Sequence, residues 1–264
     1  MRIRALLRFA GSLTATNLRA SLALRGAFWL QAVLMVVNNV AFFTMWWILF
    51  ARFHEIGGWR LADLMTLYGV VASGYGFAVV FGGGARRLAR AIVDGELDPR
   101  LTQPKPVLLH AVASSSIASG WGDVATGVGM LYLAGRLDLA NAPLLGLAIA
   151  VSALSFVAVT VTFQCLAFWM GDVEQLARQL WELTLNFALY PQPLFAGSLS
   201  FVLYTLIPAG FVGFLPVEVV RNPSLHACLY ALGGAVLSWA IAVSVFAAGL
   251  RRYESGNRFG AIGS

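Results

Sequence analysis

The chain has 264 residues, 59% hydrophobic and only 11% charged, with a net charge of +6 and a mean hydropathy of +0.77. A soluble domain carries about 25% charged residues, so the composition excludes an ordinary soluble fold and reads as an all-α membrane protein with several spans. The positive charge does not make it a nucleic-acid binder, because the basic residues flank apolar runs and no basic motif interleaved with aromatics is present.

Residues 1–25 alternate Arg2, Arg4, Arg8, Arg19 and Arg25 with leucines and Phe9. This pattern is expected to lie as a helix in the membrane interface, and it is too interrupted for a cleavable signal. The first span is expected at 27–50, with Asn38 and Asn39 near its middle and Trp46 and Trp47 near its far end. The asparagines suit interhelical hydrogen bonds or substrate contact, and the tryptophans an interfacial belt. The second span is expected at 61–81, where Gly69, Gly74 and Gly76 allow close backbone approach.

Residues 82–106 form the longest polar interval between hydrophobic runs. Residues 85–93 read as a short helix. Leu88 and Ile92 lie four apart and share a face, while Arg86, Arg87 and Arg90 point elsewhere. Asp94-Gly95 signals a turn, and Asp98 can cap a second short turn before Pro104 and Pro106. A solvated loop whose charge only fixes topology is the plainer alternative.

The third span is expected at 107–133 and the fourth at 143–170. Asp123 is the one carboxylate placed inside the third and fourth spans. A charge at the membrane centre costs about 2.5–3.5 kcal/mol, so Asp123 is either a pathway contact or one half of a satisfied interhelical pair. Two stretches then compete for the fifth span. Hydropathy favours 195–214 over 176–190, and prolines 191, 193, 208 and 216 break the region. The sixth span is expected at 224–249, followed by a basic tail.

Six spans with both termini inside place fourteen of the eighteen Lys and Arg residues on the inner side, leaving Arg52, Arg60, Arg136 and Arg221 outside. That bias predicts cytoplasmic termini and a cytoplasmic 82–106 segment. No phosphate-cradling loop is present, since the chain's only lysine is Lys105. His54, His110 and His226 are scattered, and Cys165 and Cys228 fall in apolar runs, so neither a metal site nor a disulfide is expected. With no catalytic constellation, the chain reads as a transporter. One such reading is a secondary transporter with Asp123 as proton or cation site.

Several features together resemble the permeases of type-2 ABC exporters, and more closely the six-span ABC-2 family branch formerly of unknown function. The pattern Ile-x-x-Gly-x-Leu-Asp-x-x-Leu-x-x-Pro stands here as Ile92, Gly95, Leu97, Asp98, Leu101 and Pro104. Tyr190-Pro191, the later Pro208 and the run Arg252 to Ser255 also look familial. The resemblance implies a coupling helix that docks on a separate ATPase subunit, carried by Arg86, Arg87, Leu88, Arg90, Ile92, Gly95, Leu97 and Asp98. It implies that 176–194 is the fifth span and 195–219 a re-entrant outer element. It further implies a second permease chain, like or unlike, around a pathway to which Asn38, Asn39 and Asp123 are candidates. ATP and Mg would be held by the partner subunit, with no cofactor on this chain, in a bacterial cytoplasmic membrane.

Overall fold

The computed structural model describes residues 3–195 and 197–253, with no side-chain description for residues 3–7, 10 and 198. Among the described residues the regular elements are all helices, and no strand forms. Thus the expectations resting on Arg2, Arg4, Leu6 and Leu7, and on the tail beyond Tyr253 (Glu254, Ser255 and Arg258), lie outside the described side chains.

Four helical stretches are long and apolar enough to cross a membrane. They are α2 (Arg25–Phe53); α3 (Leu61–Gly82), which runs on through a 3-10 turn (Gly83–Arg87) into α4 (Leu88–Val93); α8 (Ala142–Gln164), which runs on into α9 (Ala167–Met170); and α13 (Leu225–Leu250). The α3 stretch is 83% buried within the protein, against 22% for α2 and 33% for α13. Therefore α3 is the central post, and α2 and α13 present apolar faces outward.

Glycines set how closely α3 meets α7 (Gly120–Leu133). A Cβ on Gly69 would lie 3.0 Å from the Gly127 carbonyl oxygen, and one on Gly120 would lie 2.8 Å from that of Gly76. Gly69 thus faces Gly127 and Gly76 faces Gly120. The two helices run antiparallel, clasped at both crossings by pairs that admit no side chain. The sequence pointed to the α3 glycines; their partners on α7 come from the structure.

An ion cluster gathers one end of the bundle. Arg221 Nε lies 3.1 Å from Asp63 Oδ1, Arg136 lies 3.9 Å from the same oxygen, and the Arg221 guanidinium sits 4.0 Å over the Trp59 ring. These contacts join the start of α3, the loop after α7 and the end of α12 (Leu215–Arg221). Gly57 abuts Pro193 at this Asp63 end. The opposite, Asp98 end holds α4, α5 (Asp98–Leu101), α9, the end of α13 and the start of α10 (Glu174–Ala188).

Two expected spans are not single long helices. Residues 107–133 are not one helix: α6 (Val107–Val112) stops, 113–119 are irregular, and α7 restarts at Gly120. The Ser114 hydroxyl donates back to the Ala111 carbonyl, and the Ile117 N–H leaves the helical ladder to bond the Val79 carbonyl at 3.1 Å. A serine that bonds locally and a neighbouring helix that satisfies stray backbone make the break tolerable. At fourteen residues α7 is about 21 Å long, short of the roughly 30 Å hydrocarbon core.

Likewise α10 has only fifteen residues, and 195–214 is not a straight span either. There α11 (Ser198–Thr205) and the stretch Gly210–Arg221, which opens as a π-turn over Gly210–Phe214, meet at 80° around Pro208. Proline cannot donate its backbone, and the chain turns there. Tyr204 and Phe211 at the bend sit beside Phe163 of α8 and Ser238 of α13. By length and composition, four helices suffice to cross alone, or five with the bent pair.

Helix α1 (Ile3–Ala23) is separate from α2. Asn17 Nδ2 donates to the Ala113 carbonyl at 2.8 Å, and the Lys105 ammonium lies 3.9 Å over the Phe9 ring. It lies against the 105–113 stretch rather than within the central bundle.

Candidate functional site

Asn39 on α2 and Asp123 on α7 meet in the interior. Asn39 Nδ2 donates to Asp123 Oδ1 at 2.7 Å, and the Tyr68 hydroxyl donates to the Asn39 carbonyl at 3.3 Å. Asp123 is 1% exposed, and its second oxygen, Oδ2, has no partner among the described residues. Gly122 beside it meets the Ala32 carbonyl of α2, which brings the two helices close enough for the pair. The structure therefore supports an interhelical hydrogen bond for Asn39.

The same residues line a pocket of about 110 Å³ with Asn38, Phe42, Tyr75 and Asn186. Asn38 is exposed and makes no side-chain hydrogen bond among the described residues. Thus the three residues singled out in the sequence come together, on a face where α2 adjoins α10. An aspartate with one free oxygen, three amides and three aromatic rings can accept and orient a polar group within an otherwise apolar wall.

Replacing Asp123 with Leu would strand the Asn39 amide. Leaving a buried donor unmade costs about 1–3 kcal/mol. We expect Asp123→Leu to lower the melting temperature of the purified protein, whereas Asp123→Asn, which keeps an acceptor for Asn39, should melt close to wild type. Equal melting of all three proteins would remove the structural role of the pair.

The 82–106 segment departs from the expected docking knob. Leu88 (1% exposed), Ile92 (6%) and Leu97 (0%) are buried in this chain's own second core, with Ala158, Val161 and Cys165 of the α8 region and Phe246 of α13. Gln164 Oε1 accepts the Ala89 N–H at 3.0 Å, tying α4 to α8. An apolar face buried at home cannot fill a partner's cleft, so these residues shape the segment rather than present it.

Arg86 is half-buried; its Nη1 donates to the Tyr75 hydroxyl at 3.2 Å. Arg87 and Arg90 are exposed, and Arg90 pairs with Asp94 at 3.5 Å. Such a surface pair is worth little. Gly95 turns the chain with φ of 71°, a left-handed conformation that glycine adopts without strain.

Asp98 Oδ1 accepts the Tyr253 hydroxyl at 2.8 Å. Burial first, and the Asp98 contact second, push the Tyr253 phenol up from 10.0 to about 12. A pKa raised by folding favours the folded state below pH 10, and this is lost only as pH rises towards 12. The tether therefore holds at physiological pH. It joins two sequence motifs, one after α4 and one after α13, whose meeting the sequence did not announce.

A family model described as ABC-2 family transporter protein matches residues 36–257. The chain belongs to this family. Comparisons with curated proteins and with solved structures returned no match. Membership makes the chain a permease in a multi-pass membrane setting, not an enzyme in its own right. Within this ABC-2 transporter, sequence reasoning missed Gln164, Trp181 and Tyr253. The first two sit in runs that read simply as helix; Tyr253 lay in a familial run whose contact could not be read locally.

The α10 helix of the ABC-2 chain adds a further feature. Gln175, Arg178, Gln179, Glu182 and Asn186 are exposed and recur at helical spacing along one stripe. Ala177, Trp181, Thr184 and Ala188 on the other face are buried.

Proposed function

We propose that this chain is the membrane-spanning permease subunit of an ATP-binding cassette exporter, paired with a second permease chain and driven by a separate ATPase subunit that holds ATP and Mg. The family match over residues 36–257 carries this reading. In it α10 is the fifth crossing, α6 and α7 with their break are the third, and the α11–α12 bend is a re-entrant element. Supporting this, α12 returns to the Asp63 end where α10 finishes, through Arg221 with Asp63 and Pro193 with Gly57. Helix α1 lies in the interface at the Asp98 end, which faces the cytoplasm, as do both termini. The membrane is the bacterial cytoplasmic one.

The pathway runs along the face shared by α2 and α10. A polar stripe such as Gln179, Glu182 and Asn186 is costly against lipid and suits water or a second chain. Docking belongs to the exposed edge of the 82–106 segment, with Arg87, Arg90, Glu96, Leu101 and Gln103 outward, over the buried Leu88, Ile92 and Leu97. Gly95 and Asp98 set the turn and the tether.

The test is recovery of a partner. The tagged chain, extracted gently from its native membrane, should bring down an ATP-hydrolysing subunit, and export should require ATP. The rival reading, a secondary transporter, draws on the unpartnered Asp123 oxygen. Transport by the chain alone in liposomes under an ion gradient would establish that rival and end the exporter reading. Topology gives a second check. A thiol at exposed Gln103, as Gln103→Cys, should react with an impermeant reagent only when the cytoplasmic side is opened, and labelling in intact cells would invert the arrangement.

A further inference from the structure

Three arginines gather in a separate pocket at the Asp98 end. It has a volume of about 370 Å³ and sits between the Gly83–Arg87 turn, the 113–119 break, α8 and α10. Arg86, Arg87 and Arg178 line it, against the single carboxylate of Glu174. Four other arginines find carboxylates: Arg90 with Asp94, Arg100 with Glu96, Arg136 and Arg221 with Asp63. Among the described residues none of the three pocket arginines has an ion-pair partner.

Two of the pocket's arginines are also held in place. Arg86 is fixed by the Tyr75 hydroxyl, and its guanidinium lies 4.9 Å over the Trp181 ring. Arg178 is held by Gln175. The Ser116 hydroxyl is buried there without a partner among the described residues. Three guanidinium forks and a spare hydroxyl donor are what a tetrahedral oxyanion takes, since each fork can meet two oxygens. The volume falls in the range of roughly 300–1,000 Å³ that holds organic ligands, and Trp181 supplies an apolar wall. We propose that this pocket binds the phosphate group of an organic phosphate. The phosphate has two sources, a membrane phospholipid headgroup or a soluble phosphate ester.

This inference stands on the pocket's own chemistry and not on the exporter reading, and binding to the isolated chain tests it alone. The protein purified in a neutral detergent would be titrated with glycerol 3-phosphate at constant ionic strength and followed by thermal unfolding. In parallel, it would be placed in nanodiscs of phosphatidylglycerol or of phosphatidylcholine. Saturable stabilisation by glycerol 3-phosphate marks a soluble ester as the ligand; stabilisation confined to the anionic nanodiscs marks a headgroup.

Arg87→Gln combined with Arg178→Gln changes two exposed side chains and should fold as wild type. We expect it to weaken the response about tenfold or more, with Arg52→Gln, an exposed change at the other end, as the unaffected control. Arg86→Lys keeps the charge and should retain part of the response. Absence of saturable stabilisation in both arms overturns the proposal, as does an equal response from the double variant and Arg52→Gln.

Discussion

Gly127→Leu is expected to leave little or no folded protein, while Gly129→Leu two residues away on α7 should be harmless. A Cβ at 127 would fall 2.7 Å from the Gly69 carbonyl oxygen and 2.7 Å from the Ser73 amide nitrogen, whereas one at 129 meets nothing within 4 Å. These two obstacles are backbone and stand beside the Ser73 hydroxyl, so no rotamer change relieves the whole clash and α3 and α7 must part. Overpacking of a formed core costs about 1–3 kcal/mol or more. Here the displacement would also pull Asp123 from Asn39, stranding a buried carboxylate beside the clasp. Fluorescence size-exclusion and thermal unfolding of the two variants decide it. Should Gly127→Leu elute and melt like Gly129→Leu, the α3–α7 clasp does not carry the fold.

The clasp also shows what the sequence could convey. Gly69 and Gly76 stand out in an apolar run because glycine there has no local reason, and close packing follows. Nothing local says that the partners are Gly120 and Gly127, since helix pairing is decided by tertiary contact. The long apolar runs of α2, α3, α8 and α13 were legible for the same reason that they form: hydrophobicity is summed along one continuous helix. The break at 113–119 was not, because Ser114 to Ser116 cost little in a hydropathy average, and yet Ser114 bonds the backbone locally. Asn38, Asn39 and Asp123 were legible as candidates because polar side chains in an apolar setting are expensive. By contrast, the inward turn of Leu88, Ile92 and Leu97 was hidden. A helical face that is apolar on paper can cover the chain's own core or a partner's surface with the same periodicity.

That ambiguity defines the last expected result. Ile92→Asp and Leu101→Asp both place a carboxylate on the 82–106 segment, yet they should fail differently. Ile92 is 6% exposed within a core shared with α8 and α13. An unpaired charge there costs several kcal/mol after relaxation, a large share of a typical stability of about 5–15 kcal/mol. We expect Ile92→Asp to lose the folded permease, and with it every activity. Leu101 is 41% exposed at the end of α5, and Pro99, Thr102 and Gln103 around it are exposed as well. Leu101→Asp should therefore insert, elute and melt as wild type. At a formed contact it would give up the burial of an apolar side chain and add the desolvation of a charge. About 1.4 kcal/mol is tenfold in affinity, and fully burying a leucine is worth about 1.5–3 kcal/mol, so recovery of the ATPase subunit should fall about tenfold or more and export with it. If Leu101→Asp keeps its ATPase and exports at the wild-type rate, the exposed edge of this segment is not where the permease is driven.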